Sequence, residues 1–381
     1  MSTEQSSICS EWKDVNWRTV EFAVYKLQKR IFRASQSGDV KRVRSLQRLL
    51  TTSYYGKLWA LRKVTQDNQG KKTAGVDGKK ALSPKERVEL VQNLKIGTKA
   101  KPLRRVWIPK PDGSQRGLGI PTIHDRALQC LVKLAFEPQW EALFEENSYG
   151  FRPGRACHDA IDAIFNAIRY KPKYVLDADI AKCFDRIDHT KLLAKLNTYP
   201  LLKRQIKYWL KAGAMDKGNW FPTDEGTPQG GVISPLLANI ALHGMETELM
   251  NYACTLKGSK RDNKQALSLI RYADDFVIMH KDLEVVLESK RIIENWLKSI
   301  GLELKETKTR ITHTLDEYEG KTGFDFLGFT VRQFPVGKTH SKQGFKTIIT
   351  PSKEKIKTHI KKIGEVIDKH KCAPQEALIR Q

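Results

Sequence analysis

The chain has 381 residues, enough for one large or two ordinary domains, and 40% of them are hydrophobic, enough for a real core. Its 67 Lys and Arg outnumber 43 Asp and Glu, and the net charge of +24 points to a polyanionic partner. Mean hydropathy is −0.49 and no uninterrupted apolar run could span a bilayer, so nucleic acid is favoured over an acidic membrane surface.

The first stretch, MSTEQSSICSEWKD, lacks the basic-then-apolar layout of a secretory signal, so a bacterial cytoplasmic or an organellar location is expected. Cys9, Cys130, Cys157, Cys183, Cys254 and Cys372 are scattered, with no C-x-x-C pair and no histidine at zinc-ligand spacing. They are expected to be reduced thiols without a catalytic part.

Trp17, Val20, Val24, Leu27 and Ile31 recur at steps of three and four, which predicts an amphipathic helix with Lys26, Lys29, Arg30 and Arg33 elsewhere on its surface. SGDV at 37–40 supplies a turn, with Asp39 as the cap of a second helix. That helix buries Val43, Leu46, Leu50 and Tyr54 and carries Lys41, Arg42, Arg44 and Arg48. The polar, Gly-rich stretch 67–80 marks a boundary. Beyond it, PLRRVWIPKPDGSQRGLGIPT predicts a hairpin around a Pro-Asp-Gly turn, with Lys110 and Arg116 flanking the turn.

Helical periodicity resumes in DRALQCLVKLAFEPQWEALFEEN and HDAIDAIFNAIRY, and YVLDADIA is a strand candidate. SPLLANIALHGMETELMNYA predicts one helix, opened by Ser234 as cap with Pro235 at the first helical position. Residues 255–266 read as a polar loop. LSLIRYADDFVIMH predicts a second hairpin, followed by a charged helix over 283–300, the strand-like FDFLGFTVRQF and a basic helix from about Ser352. Hairpins mixed with helices, without regular βαβ alternation, predict an α+β fold.

Asp274 and Asp275 stand between two apolar runs, where adjacent carboxylates repel each other and are costly to desolvate. Only a tight turn lets both reach one site, and a divalent cation would offset the repulsion. An ordinary exposed Asp-Asp turn is the alternative. On an extended strand Asp177 and Asp179 share a face, and periodicity does not choose between them. In GTPQGGVISP, 226–235, the glycines permit close approach and Gln229 offers an amide.

The order of these blocks is more specific than any one of them. KPDG with GIPT, SYGFRPGR, DIAKCFD, GTPQGGVISPLLAN, YADD and FDFLGF, over roughly residues 70–335, together resemble the ordered motifs of group II intron-encoded reverse transcriptases. The resemblance implies a right-hand polymerase. Residues 1–72 would form a helical basic extension, 73–345 the fingers and palm with an antiparallel palm sheet, and 346–381 an incomplete start of the thumb or maturase domain.

By the same resemblance, Asp179, Asp274 and Asp275 would be catalytic and, with the Ile180 carbonyl, hold two Mg²⁺ ions, Mn²⁺ being a possible substitute. Lys110 and Arg116 would grip the incoming triphosphate and Gln229 would line the nucleotide pocket. Phe184 would be the steric gate, which requires the chain to leave extended geometry near Lys182. Lys308 would sit near the leaving pyrophosphate. Arg152, Arg155, Phe326, Leu327 and Gly328 would meet the primer and template, and the basic residues of the first two helices would bind RNA. The expected function is RNA-directed DNA synthesis from dNTPs in intron mobility, with binding and splicing assistance to intron RNA. A non-enzymatic maturase scaffold and a retron or defence-type reverse transcriptase are the alternatives.

Overall fold

A computed structural model describes residues 11–109, 113–337 and 339–379. They divide into two compact units, the first comprising Met1–Glu146, Ala181–Gly244 and Trp296–Glu303, and the second Asn147–Ile180, Met245–Asn295 and Leu304–Gln381. No helix among the described residues is long and apolar enough to cross a membrane.

The first unit is built on helix Ile123–Glu141, most of whose residues are buried. Helices Trp17–Gln36, Val40–Thr52 and Tyr54–Arg62 pack against it. The expected stripe holds at Val20, Val24 and Ile31, then at Val43, Leu46 and Leu50, and Asp39 caps the second helix by accepting from the Arg42 N–H at 3.0 Å. Within this packing the side-chain amide nitrogen of Gln47, fully buried, donates to the Ala135 carbonyl at 3.2 Å and to Gln139 Oε1 at 2.6 Å. Lys26, Lys29, Arg30, Arg33, Lys41, Arg42 and Arg48 are exposed, whereas Arg44 is half-buried and donates to Asn197 Oδ1 at 2.9 Å.

The expected first hairpin pairs Leu103–Pro109 with Gln115–Ile120 in antiparallel register, Ile108 opposite Arg116. Two three-residue strands, Ala214–Asp216 and Asn219–Phe221, extend this sheet.

The second unit centres on a four-stranded antiparallel sheet in the order Ser268–Tyr272, Asp275–His280, Tyr174–Asp179, Arg310–His313. Helix Cys157–Ile168 buries Ala160, Ile161, Ile164 and Ile168 against Val175, Ile270, Val277 and Met279, and Phe324, Phe326 and Val331 complete the cluster. Strand Phe329–Pro335 lies between Phe324–Phe326 and Phe345–Pro351 in a second sheet. The expected basic helix is Lys353–Lys369, with Ser352 as its cap.

Three expectations change. The second helix stops at Thr52, short of Tyr54, which opens helix Tyr54–Arg62 and is half-buried. The 234–253 stretch is two helices, Ser234–Leu242 and Met245–Ala253, because Gly244 takes φ +102 between them. Ile233, not Ser234, is the cap, and the Ser234 hydroxyl donates to the Pro228 carbonyl at 2.7 Å. The 255–266 stretch is not all loop: Lys260–Ala266 is a short helix capped by Ser259.

Candidate active site

The second unit brings three carboxylates to one end of its sheet. Asp179 closes the pairing of Tyr174–Asp179 with Asp275–His280, directly opposite Asp275, and Asp275 is opposite Tyr272 on its other side. Directly opposed residues share a face with Cα atoms about 4.5–5.5 Å apart. Asp274 lies in the two-residue turn before Asp275, and its carbonyl accepts from the Ile180 N–H at 3.2 Å. The turn thereby puts two consecutive acids beside a strand where alternation alone would separate them.

The proximity sets the electrostatics of the cluster. Burial pushes the Asp275 carboxyl up to about 6, and the charges of Asp179 and Asp274 push in the same direction. Lys308 Nζ stands 2.8 Å from Asp179 Oδ2, and its ammonium is raised by that hydrogen bond and by the charges of all three acids. Asp177 lies one row behind on the same face, opposite Val277 and Arg310. Burial first, then Asp275, pushes it up to about 7, while Arg310 pulls it down.

Among the described residues no group of three or more acidic, imidazole or thiol side chains is arranged to hold a metal ion by itself. Magnesium seldom needs one, since it is held by one or two carboxylates plus waters and substrate phosphates. The all-oxygen donor set and its mutual repulsion fit a hard divalent cation better than zinc.

The turn is braced by residues that the sequence reading assigned elsewhere or left aside. Ala273 has φ +58, a conformation costly for a residue with a Cβ. Arg271, 1% exposed, donates to the Ala273 carbonyl at 3.0 Å and to Ser148 Oγ at 2.7 Å. Backbone bonds tie Arg271 to Asn147 and Tyr149 on either side of Ser148. Gly150 is packed so closely on the Ala273 backbone that a Cβ there would collide with the Ala273 nitrogen. Arg152, expected at the primer and template, is instead buried and donates to the Ser148 carbonyl at 2.6 Å. Arg155 lies 5.2 Å from the centre of the Tyr149 ring.

Phe326 is also corrected, since at 3% exposure its ring belongs to the core. Leu327 and Gly328, at φ +50 and +84, form the partly exposed tip of that hairpin. The Gly328 carbonyl accepts from the Ser352 N–H at 2.9 Å.

The first unit carries the expected nucleotide-pocket residues. Gln229 accepts from Arg116 Nε and donates to Asp185 Oδ1 at 2.9 Å, so three polar side chains form one chain. The Gln229 carbonyl accepts from the Gly119 N–H at 2.6 Å, and the Thr227 N–H donates to the Phe184 carbonyl at 2.5 Å. The GTPQGG loop is thus pinned between the first hairpin and the short helix Cys183–Arg186. Lys182 takes φ +47, so the chain leaves extended geometry where the Phe184 assignment requires it, and Phe184 is half-buried. Asp185 and the buried His189, whose Nε2 lies 2.6 Å from the Gly226 carbonyl, were missed because their partners are remote in sequence. Lys110 lies outside the described residues.

The sequence matches the family described as reverse transcriptase (RNA-dependent DNA polymerase) over residues 108–331, and the N-terminal domain of reverse transcriptase over residues 12–94. Similar proteins include Protein YkfC of Escherichia coli K12, 33% identical over 80% of this chain and 87% of that protein. Group II intron-encoded protein LtrA of Lactococcus lactis subsp. cremoris is 31% identical over 77% of this chain, which spans 59% of its length. Maturase-like protein 1 of Euglena gracilis is 29% identical over 84% of this chain and 65% of its own. By these matches the chain belongs to the reverse transcriptase (RNA-dependent DNA polymerase) family, and group II intron-encoded and maturase-like proteins are among the relatives it is similar to.

Proposed function

We propose that the chain copies RNA into DNA by two-metal nucleotidyl transfer, with Asp179, Asp274 and Asp275 as the catalytic carboxylates. The observation that carries this reading is the direct opposition of Asp179 and Asp275, with Asp274 in the adjoining turn. Two Mg²⁺ ions, with Mn²⁺ as substitute, would be held by these side chains and the Ile180 carbonyl. Such ions would supply a lowered pKa for a primer 3′-hydroxyl and a charge balance for the leaving pyrophosphate.

The protein's own groups do the rest. Lys308 shields Asp179 before substrate arrives and then turns to the leaving phosphates. Arg116, with Lys110, takes the triphosphate of an incoming dNTP. Gln229, oriented by Asp185, lines the nucleotide pocket, and Phe184 bars a ribose 2′-hydroxyl. Arg155, Leu327 and Gly328 meet the primer and template.

Residues 1–72 serve as the basic extension, 73–345 as fingers and palm, and 346–381 as thumb. The partner RNA is the parent group II intron, whose mobility and splicing the chain assists. The exposed Lys26, Lys29, Arg30, Arg33, Lys41 and Arg42 favour this binding role, which stands even without catalysis.

Primer extension on an RNA template with Mg²⁺ tests the catalytic reading. Asp274→Asn is expected to lower the rate at least about a thousandfold, since it removes charge from the reacting centre. Equal extension by both proteins would remove the assignment.

A further inference from the structure

A cavity of ≈ 400 Å³ opens in the first unit where helix Val40–Thr52 gives way to Tyr54–Arg62, beside residues 94–96 and the start of helix Pro200–Leu210. Three cations line it, Arg48, Lys57 and Lys95, together with an apolar wall of Leu94, Ile96 and Leu201. Among the described residues no ion pair joins any of the three to a carboxylate. Burial and the neighbouring Lys95 hold the Lys57 ammonium below the usual lysine range.

The wall is built rather than incidental. Gln205 is fully buried, accepts from the Gly97 N–H at 2.7 Å and donates to the Thr98 carbonyl at 3.1 Å, fixing the segment that carries Lys95. Arg48 lies over the Tyr199 ring, 5.2 Å from its centre, and the Tyr199 hydroxyl is 3.4 Å from Thr51 Oγ1.

We propose that this cavity receives one unpaired nucleotide extruded from a bound RNA, its phosphate between Lys57 and Lys95 and its base against the apolar wall beside Arg48. The inference rests on the RNA-binding reading above and gives that binding a sequence-tolerant, structure-selective anchor. The volume lies low in the ~300–1,000 Å³ range of small-ligand sites, which admits a nucleotide and excludes a duplex. Splayed-out bases stack on aromatic rings and guanidinium planes while cations take the backbone. An acidic peptide would neutralise the lysines and leave the apolar wall bare.

Fluorescence anisotropy with the whole chain tests this, using an RNA hairpin with one bulged nucleotide, its fully paired equivalent and one whose bulge is abasic. The bulged hairpin is expected to bind about tenfold more tightly than either control. Lys57→Gln with Lys95→Gln, and separately Leu201→Trp, which fills the cavity, are expected to bring that ratio close to one, with folding checked by circular dichroism. Should the lysine pair destabilise the fold, Leu201→Trp decides alone. Equal binding of the three hairpins by wild type, or a bulge preference that survives Leu201→Trp, overturns the proposal. So does competition by poly-glutamate as effective as that by bulged RNA.

Primer extension by wild type on a bulge-free substrate is read in parallel. Extension without bulge preference overturns the cavity proposal alone. Bulge preference without extension supports the cavity and counts against the polymerase reading.

Discussion

At Asp275 a carboxylate is half withdrawn from water beside two others, and its pKa is about 6 against an ordinary 3.8. The folded protein therefore binds a proton there more readily than the unfolded chain, and stability falls as pH rises from near 4 through about 6. Removing the charge relieves that cost only above this window. Asp275→Asn, in metal-free buffer, is expected to stabilise the fold at pH 8 by about 1–3 kcal/mol, and the gain is expected to vanish toward pH 4. Melting curves at the two pH values check it, and divalent cations are expected to narrow the gap by stabilising wild type preferentially. Asp274 and Asp275 were legible because an acidic pair inside apolar runs is unusual. Asp177 and Asp179 were not separable by periodicity, and the structure does place both on one face. What distinguishes them is the partner opposite each, Val277 and Asp275, which no local pattern contains.

The turn between Tyr272 and Asp275 keeps its left-handed Ala273 because a second segment of chain is clamped against it. Arg271 reaches Ser148 across 123 positions of sequence, and Gly150 leaves no room for a side chain. Gly150→Ala is expected to cost about 2 kcal/mol or more of stability. It is also expected to lower kcat in primer extension about a hundredfold with little change in KM, since displacing catalytic groups by an ångström has that effect. Unchanged kcat would show that the brace does not set the turn. Both hairpins were legible as elements, each having apolar strands around a recognisable turn. The brace was not, and Arg152 was assigned to nucleic acid because a buried arginine and an exposed one look alike in a motif. Helix Lys260–Ala266 escaped notice because it buries no residue and so has no periodicity to read. Strand Ala214–Asp216 escaped because three residues owe their conformation to pairing with Leu103 and Arg104.

A net charge of +24 on the whole chain implies association with a polyanion that falls steeply with salt. Replacing Lys26, Lys29, Arg30 and Arg33 together by glutamine is expected to reduce the slope of log affinity against log salt by about 3, each lost phosphate contact accounting for about 0.7–0.9. Filter binding to intron RNA at several salt concentrations reads this, and an unaltered slope would place the contacts elsewhere. The most direct measurement of the central claim is backbone cleavage by hydroxyl radicals generated from Fe²⁺ bound in place of Mg²⁺. Cuts are expected near both Asp179 and Asp274 in one reaction, suppressed together by excess Mg²⁺ and lost in Asp274→Asn. Cleavage at only one of the two segments, or cuts that persist in that variant, would contradict the assignment of these acids to a shared cation site.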